Sequence, residues 1–285
     1  MLNPNFFNTV FVFPILNLLV TLYHVFRFLR IPGDFGFAII GLTVFVRLIL
    51  HPFFKQQLET SKKMQDLKPH LDNLSKKHKQ DPKKLQQEQL KLYQQAGINP
   101  ASGCLFMIVQ IPVFIALYNT LSLFLSNGKM DKVLVSINNV LYSPLLKISS
   151  INPWFFGFNL ALSPAQAMKW HYYLIPVVTA ALQYMQAVVT TAVSPSSDVK
   201  KEDKELKPAS AKDAAGQQGD FQKVFNTQMK YIFPLMIGWF SYNLPVGLAL
   251  YWNIFSIFSI IQYQGISKKS LPSRQAGKLQ NPKSK

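Results

Sequence analysis

The chain has 285 residues, of which 49% are apolar and 13% aromatic, and it carries a formal net charge of +17. Its apolar residues gather in long runs with the charged residues between them, a distribution that excludes an ordinary soluble domain. The single cysteine, Cys104, excludes an intrachain disulfide and a cysteine-based zinc cluster. The positive charge indicates an anionic partner, but basic motifs interleaved with aromatic residues are missing, which disfavours nucleic acid.

The first apolar run, residues 11–28, is long enough to cross a bilayer but is interrupted or flanked by polar residues and a proline. No basic segment precedes it and no small-residue cleavage site follows it, so a signal peptide is not indicated. We therefore predict that residues 1–30 form an amphipathic helix on the outer membrane surface, with a further span as the alternative. The interrupting and flanking residues are Pro14, Asn17, His24, Arg27 and Arg30.

Five later runs predict membrane-spanning helices, because about 20 apolar residues in a helix cross ~30 Å of hydrocarbon. The fourth run is short for a span, and the turn sequence Asn243-Leu244-Pro245 separates it from the fifth. The expected fold class is therefore all-α, a polytopic membrane protein with a five-helix transmembrane core. The predicted spans cover residues 35–54, 103–125, 172–193, 228–242 and 246–264.

The distribution of Lys and Arg between the spans predicts the orientation, because basic segments stay in the cytoplasm. Residues 55–102 carry ten lysines and residues 194–227 carry six, whereas residues 126–170 carry four. The tail, residues 265–285, adds six basic residues. The N-terminus and the 126–170 segment are therefore expected outside, and the C-terminus inside. Residues 194–227 are polar and nearly neutral, which predicts a disordered loop to which no role is assigned.

Residues 56–97 are predicted to form a cytoplasmic helical hairpin. Its first half carries an apolar stripe at spacings of three and four, and Pro69 should kink that helix. Asp81-Pro82 is typical of a helix N-cap followed by the first helical position, and Gly97 should end the second helix. The excess of lysine over acid in this region suits an anionic partner, and a solvated hairpin without a task is the alternative. The stripe consists of Met64, Leu67, Leu71 and Leu74.

Arg47 lies inside the first predicted span, where a guanidinium group costs roughly 2.5–3.5 kcal/mol. None of the five predicted spans contains an acidic residue, so water, backbone carbonyls and neutral amides are expected to solvate the arginine. This predicts a wet cavity, open to one side, in which an anionic or polar segment can rest. Thr43, Ser256 and Ser259 are also typical of hydrogen bonds between membrane helices. The candidate groove residues are Arg47, Thr43, His51, Gln110, Gln183, Gln186, Trp252 and Asn253.

Three stretches of the sequence resemble, in order and spacing, the YidC family of membrane protein insertases. The first is VRLILHPFFKQQLETSKKMQDLKP, which contains Arg47 and Pro52. The second is NPASGCLFMIVQIPVFIALY, residues 99–118, and the third is LPVGLALYWNIFSIFSIIQ, residues 244–262. Together they cover about residues 12 to 266.

The resemblance implies an insertase, not an enzyme, whose five core helices enclose a hydrophilic, positively charged groove around Arg47. Nascent membrane proteins would pass short polar tails through this groove while their apolar segments enter the lipid. The resemblance also implies a bacterial cell membrane, with the lipid bilayer, the ribosome and a Sec translocon as partners and no cofactor, metal or small-molecule substrate. In the hairpin, the residues expected to receive substrate or ribosome are Lys62, Lys63, Lys76, Lys77, Lys83 and Lys84.

Two other classes of function are less well supported by the sequence. An anion transporter would use Arg47 as its binding charge, but the sequence shows no internal repeat and no pair of broken helices in corresponding halves. An intramembrane enzyme would use Cys104 or a serine with His51 or His171 as base, but no such pair and no metal motif is indicated. A glycine-rich phosphate-binding loop is missing too, which disfavours a nucleotide-driven machine.

Overall fold

The computed structural model describes residues 2–78, 81–97, 102–125, 130–191 and 228–267. Helix is the main secondary structure of these residues and the sheet among them is one short β-hairpin, which confirms the all-α membrane-protein class. The elements are α1 Phe13–Phe28, α2 Asp34–Ile49, α3 His51–Asp66, α4 Lys68–Lys77, α5 Pro82–Gln95, α6 Ser102–Phe124, α7 Met130–Asn138, β1 Trp154–Phe155, β2 Phe158–Asn159, α8 Pro164–Ala167, α9 Leu174–Thr191, α10 Phe233–Asn243 and α11 Val246–Ser267.

Three helical segments of the described chain are long and apolar enough to cross a membrane, and a fourth is added if α2 and the start of α3 are one bent span. The N-terminal segment is among them, so its length and composition suit a span as well as the predicted surface helix. The predicted fourth span corresponds to α10, which has 11 residues and follows a π-helical turn. The three segments are Asn8–Phe28, Trp170–Val189 and Val246–Gly265.

The predicted first span is two helices rather than one. At Leu50, α2 ends and α3 begins at an angle of 59°. Pro52 accounts for the break, because proline lacks an N–H and its ring clashes with the carbonyl four residues earlier, that of Leu48. A second break at Leu67 separates α3 from α4, whose first turn contains Pro69. The kink predicted at Pro69 therefore takes the form of a helix break two residues earlier.

Helices α4 and α5 form an antiparallel hairpin around a small apolar cluster. The buried Leu67 and Leu71, at the start of α4, pack against residues at the end of α5. The Asp81 carboxylate accepts a hydrogen bond from the Lys84 backbone N–H at 3.0 Å, and Pro82 is the first residue of α5, which confirms the predicted N-cap. The residues of α5 and its end in this cluster are Leu92, Tyr93 and Ala96.

Residues 139–169, here called the 139–169 loop, pack onto the start of α2. Strands β1 and β2 form a two-residue hairpin in which Phe155 pairs with Phe158. The Phe155 ring fills a notch left by two glycines: a Cβ at Gly36 would lie 2.1 Å from Phe155 Cδ2, and one at Gly33, where φ is +83°, would lie 2.8 Å away. Only glycine permits this close approach, so the loop is fixed to α2 at one end of the helix core.

The 139–169 loop also caps the start of α11. The backbone N–H groups of Val246 and Gly247 donate to the carbonyls of Leu162 and Leu160, each at 2.9 Å. These bonds satisfy two of the first N–H groups of α11, which have no partner within their own helix. The loop therefore connects the beginnings of α2 and α11 at the same end of the core.

Asn17 joins the same loop to α1 from a buried position inside an apolar helix. Its Nδ2 donates to the carbonyls of Phe13 at 2.9 Å and Val140 at 3.2 Å, and its Oδ1 accepts from the Tyr142 N–H at 2.7 Å. Asn17, which interrupts an apolar run in the sequence, therefore links α1 to the 139–169 loop through hydrogen bonds.

Candidate functional site

Arg47 is buried between α2 and α11, with 2% of its surface exposed. Its Nη2 donates to the Phe255 carbonyl at 2.8 Å and to the hydroxyl of Ser259. Its Nη1 donates to Gln262 Oε1 at 3.2 Å. The three hydrogen-bond partners are neutral, as predicted from the lack of acids in the spans, and all three lie on α11.

Two aromatic rings cover the guanidinium group. Its central carbon lies 3.6 Å from the centre of the Phe255 ring and 4.2 Å from that of Phe54. Cation–π contacts of this kind contribute about 0.5–2 kcal/mol each, more when water is excluded. Arg47 is therefore held by a carbonyl, a hydroxyl, an amide and two rings, and in this conformation it faces protein rather than an open groove.

The helices place these groups by simple periodicity. Phe255, Ser259 and Gln262 are spaced by four and three residues, so they share one face of α11. Arg47 lies in the last turn of α2, where the partial negative charge of the helix C-terminus favours a cation. The chain bends by 59° after Ile49, and Phe54 in the first turn of α3 lies over the guanidinium.

His51 and Gln262 lie at the edge of the arginine site. Gln262 Nε2 is 3.3 Å from His51 Nδ1 and donates to it in the tautomer that leaves this nitrogen unprotonated. His51 is exposed, whereas Arg47 is not. The amide of Gln262 therefore contacts both the buried arginine and a surface residue, at the boundary between the core and the hairpin.

The other predicted groove residues do not gather around the guanidinium. The Thr43 hydroxyl is buried and donates to the Ile39 carbonyl of its own helix at 2.7 Å. Trp252 stacks on Phe114, with ring centres 5.7 Å apart, beside an apolar cavity of about 190 Å³. Gln183 is buried and Gln186 half-buried on α9, which packs against α11. The side chain of Gln110 lies outside the described residues.

Several buried polar atoms in the core have no hydrogen-bond partner among the described residues. They belong to α2, α6, α9 and α11, so each of these helices places at least one such donor or acceptor in the core. Buried polar atoms are normally satisfied, by water where protein groups do not reach. The interior of the helix core therefore contains polar atoms that water could satisfy. The atoms are Arg47 Nε, Thr120 Oγ1, Thr179 Oγ1, Asn253 Oδ1 and Ser256 Oγ.

Three residues of the arginine site, Phe54, Phe255 and Gln262, were not predicted from the sequence. A signal for Gln262 does exist, because it is an amide on the same helical face as Ser259, near the far end of its helix. Arg47 is likewise near the far end of α2. Phe54 and Phe255 carry no such signal, because nothing in the sequence distinguishes them from the other phenylalanines among the 23 in this chain.

The hairpin lysines that the structure describes are exposed to solvent. Lys63 lies on α3, Lys76 and Lys77 lie at the end of α4, and Lys84 is in the first turn of α5. The side chains of Lys62 and Lys83 lie outside the described residues. Near them, the Glu88 carboxylate pairs with Lys91 at 2.8 Å, and this contact lowers the pKa of Glu88. The exposed lysines thus present a basic surface on the hairpin.

The fold and the buried arginine define a class, an all-helical polytopic membrane protein with a cationic side chain inside its helix core. Residues 12–273 of the chain match the model of the family described as 60Kd inner membrane protein. The chain belongs to this family, which is the YidC family that its motifs resemble.

Bacterial and chloroplast proteins are among the relatives. The chain is 28% identical over 271 residues to the membrane protein insertase YidC of Oceanobacillus iheyensis, a match that covers 94% of this chain and 86% of that protein. It is also 28% identical over 231 residues to the membrane protein insertase YidC of Caldanaerobacter subterraneus, covering 81% of this chain and 84% of the relative. The inner membrane ALBINO3-like protein 2 of Chlamydomonas reinhardtii is 33% identical over 231 residues, 81% of this chain, and the chain spans about half (49%) of its length.

Proposed function

We propose that this chain is a membrane protein insertase that takes nascent membrane proteins into a hydrophilic site around Arg47 and releases their apolar segments to lipid. The observation that carries the proposal is the burial of Arg47 against neutral partners on α11. Relatives that bear the name membrane protein insertase cover most of the chain, which supports the same function.

The neutral partners of Arg47 suit a temporary ligand. Ser259 and Gln262 offer the guanidinium neutral oxygens, whereas a carboxylate offers two anionic oxygens that can accept side by side, so an incoming carboxylate can displace both side chains. When the carboxylate leaves, both side chains return from the same face of α11. An acidic residue in this position would instead form a permanent ion pair and block the site.

The buried polar atoms on α6, α9 and α11 would shorten the apolar distance that a polar tail must cross. Moving each unsatisfied polar group into hydrocarbon costs several kcal/mol, and a hydrated interior removes much of that cost. Burial of the substrate's apolar segment in lipid then drives the step, at about 25 cal/mol per Å². On this mechanism the described side chains hold, hydrate and release the tail, and no covalent chemistry is required.

The hairpin would capture the substrate or the ribosome through its exposed lysines, since a ribosome presents an anionic surface. A Sec translocon is a further candidate partner. We place the protein in a bacterial cell membrane, with the N-terminus outside and the C-terminus in the cytoplasm, because the lysine-rich segments favour the cytoplasmic side. The 139–169 loop would then face outward.

The experiment is insertion of a small membrane protein with an acidic tail into proteoliposomes that hold wild type, Arg47→Lys or Arg47→Ala, measured by protease protection of the tail. We expect Lys to retain most insertion and Ala to lose at least tenfold. A matched substrate whose tail acids are replaced by amides should lose its dependence on residue 47. Equal insertion of the acidic substrate by all three proteins would overturn the role of the charge.

A further inference from the structure

A band of exposed apolar side chains surrounds the end of the helix core that lies opposite the hairpin. Phe28 is 87% exposed at the end of α1, Phe156 is 73% exposed at the tip of the β-hairpin, and Trp170 is 77% exposed just before α9. Trp154 and Met168 are exposed beside them. We call these five residues the apolar rim.

Ring contacts place the apolar rim at the ends of the membrane-spanning helices. Phe156 lies against Phe37, one turn into α2, with ring centres 6.1 Å apart. Trp170 is the first residue of the segment Trp170–Val189, which is long and apolar enough to cross a membrane. The rim is therefore at the level where hydrocarbon gives way to headgroups, rather than on a surface far from the bilayer.

The backbone of the rim is strained where its apolar residues are exposed. In the described part of the chain, the non-glycine residues with positive φ are Arg30 at 55°, Phe156 at 43° and Met168 at 50°. All three belong to the rim or its edge. Phenylalanine is ill suited to the first position of a two-residue hairpin turn with positive φ, where asparagine or glycine is favoured. Strain retained at an exposed aromatic residue indicates that the side chain has a use.

Basic residues outnumber acidic residues at this end of the core. Arg27, Arg30, Lys147 and Lys169 are exposed, Asp34 at the start of α2 is half-buried, and residues 132–191 contain no acidic residue. Aromatic side chains beside Lys and Arg at the ends of membrane helices are typical of the membrane interface, and basic groups there attract anionic headgroups. A soluble protein partner would account neither for the position of the rim at the ends of the membrane helices nor for its combination of aromatic and basic side chains.

We propose that the apolar rim inserts into the headgroup region of the bilayer and anchors the 139–169 loop to lipid. Phe156 is the central anchor, and the basic residues at its edge select anionic phospholipid. The loop itself is fixed to α2 through Phe155 and to α11 through Leu160 and Leu162. Anchoring the rim therefore holds this end of the core against the membrane surface.

Single-tryptophan proteins test the depth of the rim. Either Trp154 or Trp170 is retained in the full chain, and the other tryptophans are replaced by phenylalanine. The proteins are reconstituted in vesicles of phosphatidylcholine and phosphatidylglycerol with bromine near the headgroup end or near the tail end of the acyl chain. We expect shallow bromine to quench both tryptophans at least twofold more than deep bromine, and aqueous iodide to quench them weakly. A third protein that retains only Trp239, which is exposed on α10, provides the reference.

Strong quenching by iodide without quenching by bromine would overturn the proposal, because that is the result expected of a surface for a soluble partner.

A second pair of variants tests the role of Phe156 in the protein that retains only Trp154. Phe156→Asn should keep or raise the Tm in detergent, since asparagine tolerates positive φ, yet should lower shallow-bromine quenching of Trp154 at least twofold. Phe156→Leu, which remains apolar, should retain the quenching. Unchanged quenching in Phe156→Asn would contradict the anchor.

Discussion

Arg47 and Phe255 contact each other twice: Nη2 of the arginine donates to the phenylalanine carbonyl at 2.8 Å, and the guanidinium lies 3.6 Å from the centre of its ring. The two residues are separated by 208 positions in the chain. This contact joins the last turn of α2 to the middle of α11, and the 139–169 loop joins the beginnings of the same two helices. The arginine is thus both a candidate substrate contact and a connection between two helices.

A permanent carboxylate beside Arg47 should block insertion. Gln262→Glu would place an acid where the amide oxygen now accepts from Nη1 at 3.2 Å. We expect insertion of an acidic-tailed substrate to fall at least tenfold, because the internal ion pair competes with the tail, while the Tm in detergent stays the same or rises. The uncharged control Gln262→Met should retain most activity. Wild-type insertion by Gln262→Glu would show that the tail does not meet Arg47.

The glycine notch under Phe155 should be sensitive to a single methyl group. Gly36→Ala would place a Cβ 2.1 Å from Phe155 Cδ2, and overpacking of this kind typically costs about 1–3 kcal/mol. A lowered Tm in detergent checks the expectation. Gly41→Ala on the same helix is the matched control, since its Cβ would meet Leu22 and Phe26 at 3.4 Å, and it should be neutral. If the Tm fell equally in both variants, the loss of stability would come from replacing glycine in α2 and not from the contact with Phe155.

Asn17 should be more important than its place in an apolar run indicates. Asn17→Leu leaves the Val140 carbonyl and the Tyr142 N–H without their side-chain partner, at a cost of about 0.5–1.5 kcal/mol for each lost hydrogen bond. Hydrogen exchange at the Tyr142 amide should then rise while exchange in α9 is unchanged. Thr21→Val removes a hydroxyl that bonds only within α1 and is exposed, so it should change neither quantity. Unchanged exchange in Asn17→Leu would refute the cross-link.

The exposed hairpin lysines should contribute to ribosome binding in a salt-dependent way. Replacing Lys63, Lys76, Lys77 and Lys84 by glutamine should weaken co-sedimentation with ribosomes several-fold at low salt, because exposed charges are screened over about 10 Å at 0.1 M. Lys147→Gln with Lys169→Gln, at the opposite end of the core, should have no effect. If the two sets of variants bound equally well, the hairpin would not be the ribosome-binding element.

Local features could be predicted from the sequence because they depend on neighbours in the chain. The Asp81 cap and the break at Asn243-Leu244-Pro245 are of this kind, and both are observed. The neutral environment of Arg47 also followed, since the predicted spans contain no acid.

Contacts between distant helices could not be predicted in the same way. Gln262 accepts a hydrogen bond from Arg47, whereas Trp252 stacks on Phe114. This difference depends on the rotation of α11 about its axis and on the angles at which it crosses its neighbours. The seating of Phe155 on Gly36 likewise requires a loop and a helix more than 100 residues apart to approach closely. Periodicity identifies the face of a helix, but packing alone decides what that face meets.

The glycine notch has a mechanical consequence for Arg47. Gly36 and Arg47 lie on the same helix, 11 residues or about 16 Å apart along its axis. Because Phe155 holds the Gly36 end, a tilt of α2 about this point would displace mainly the end that carries Arg47. A tilt of about 5° would move the arginine end by about 1.4 Å over that length. A displacement of that size away from α11 would break the 2.8 Å hydrogen bond to the Phe255 carbonyl while the contact between Phe155 and Gly36 persists.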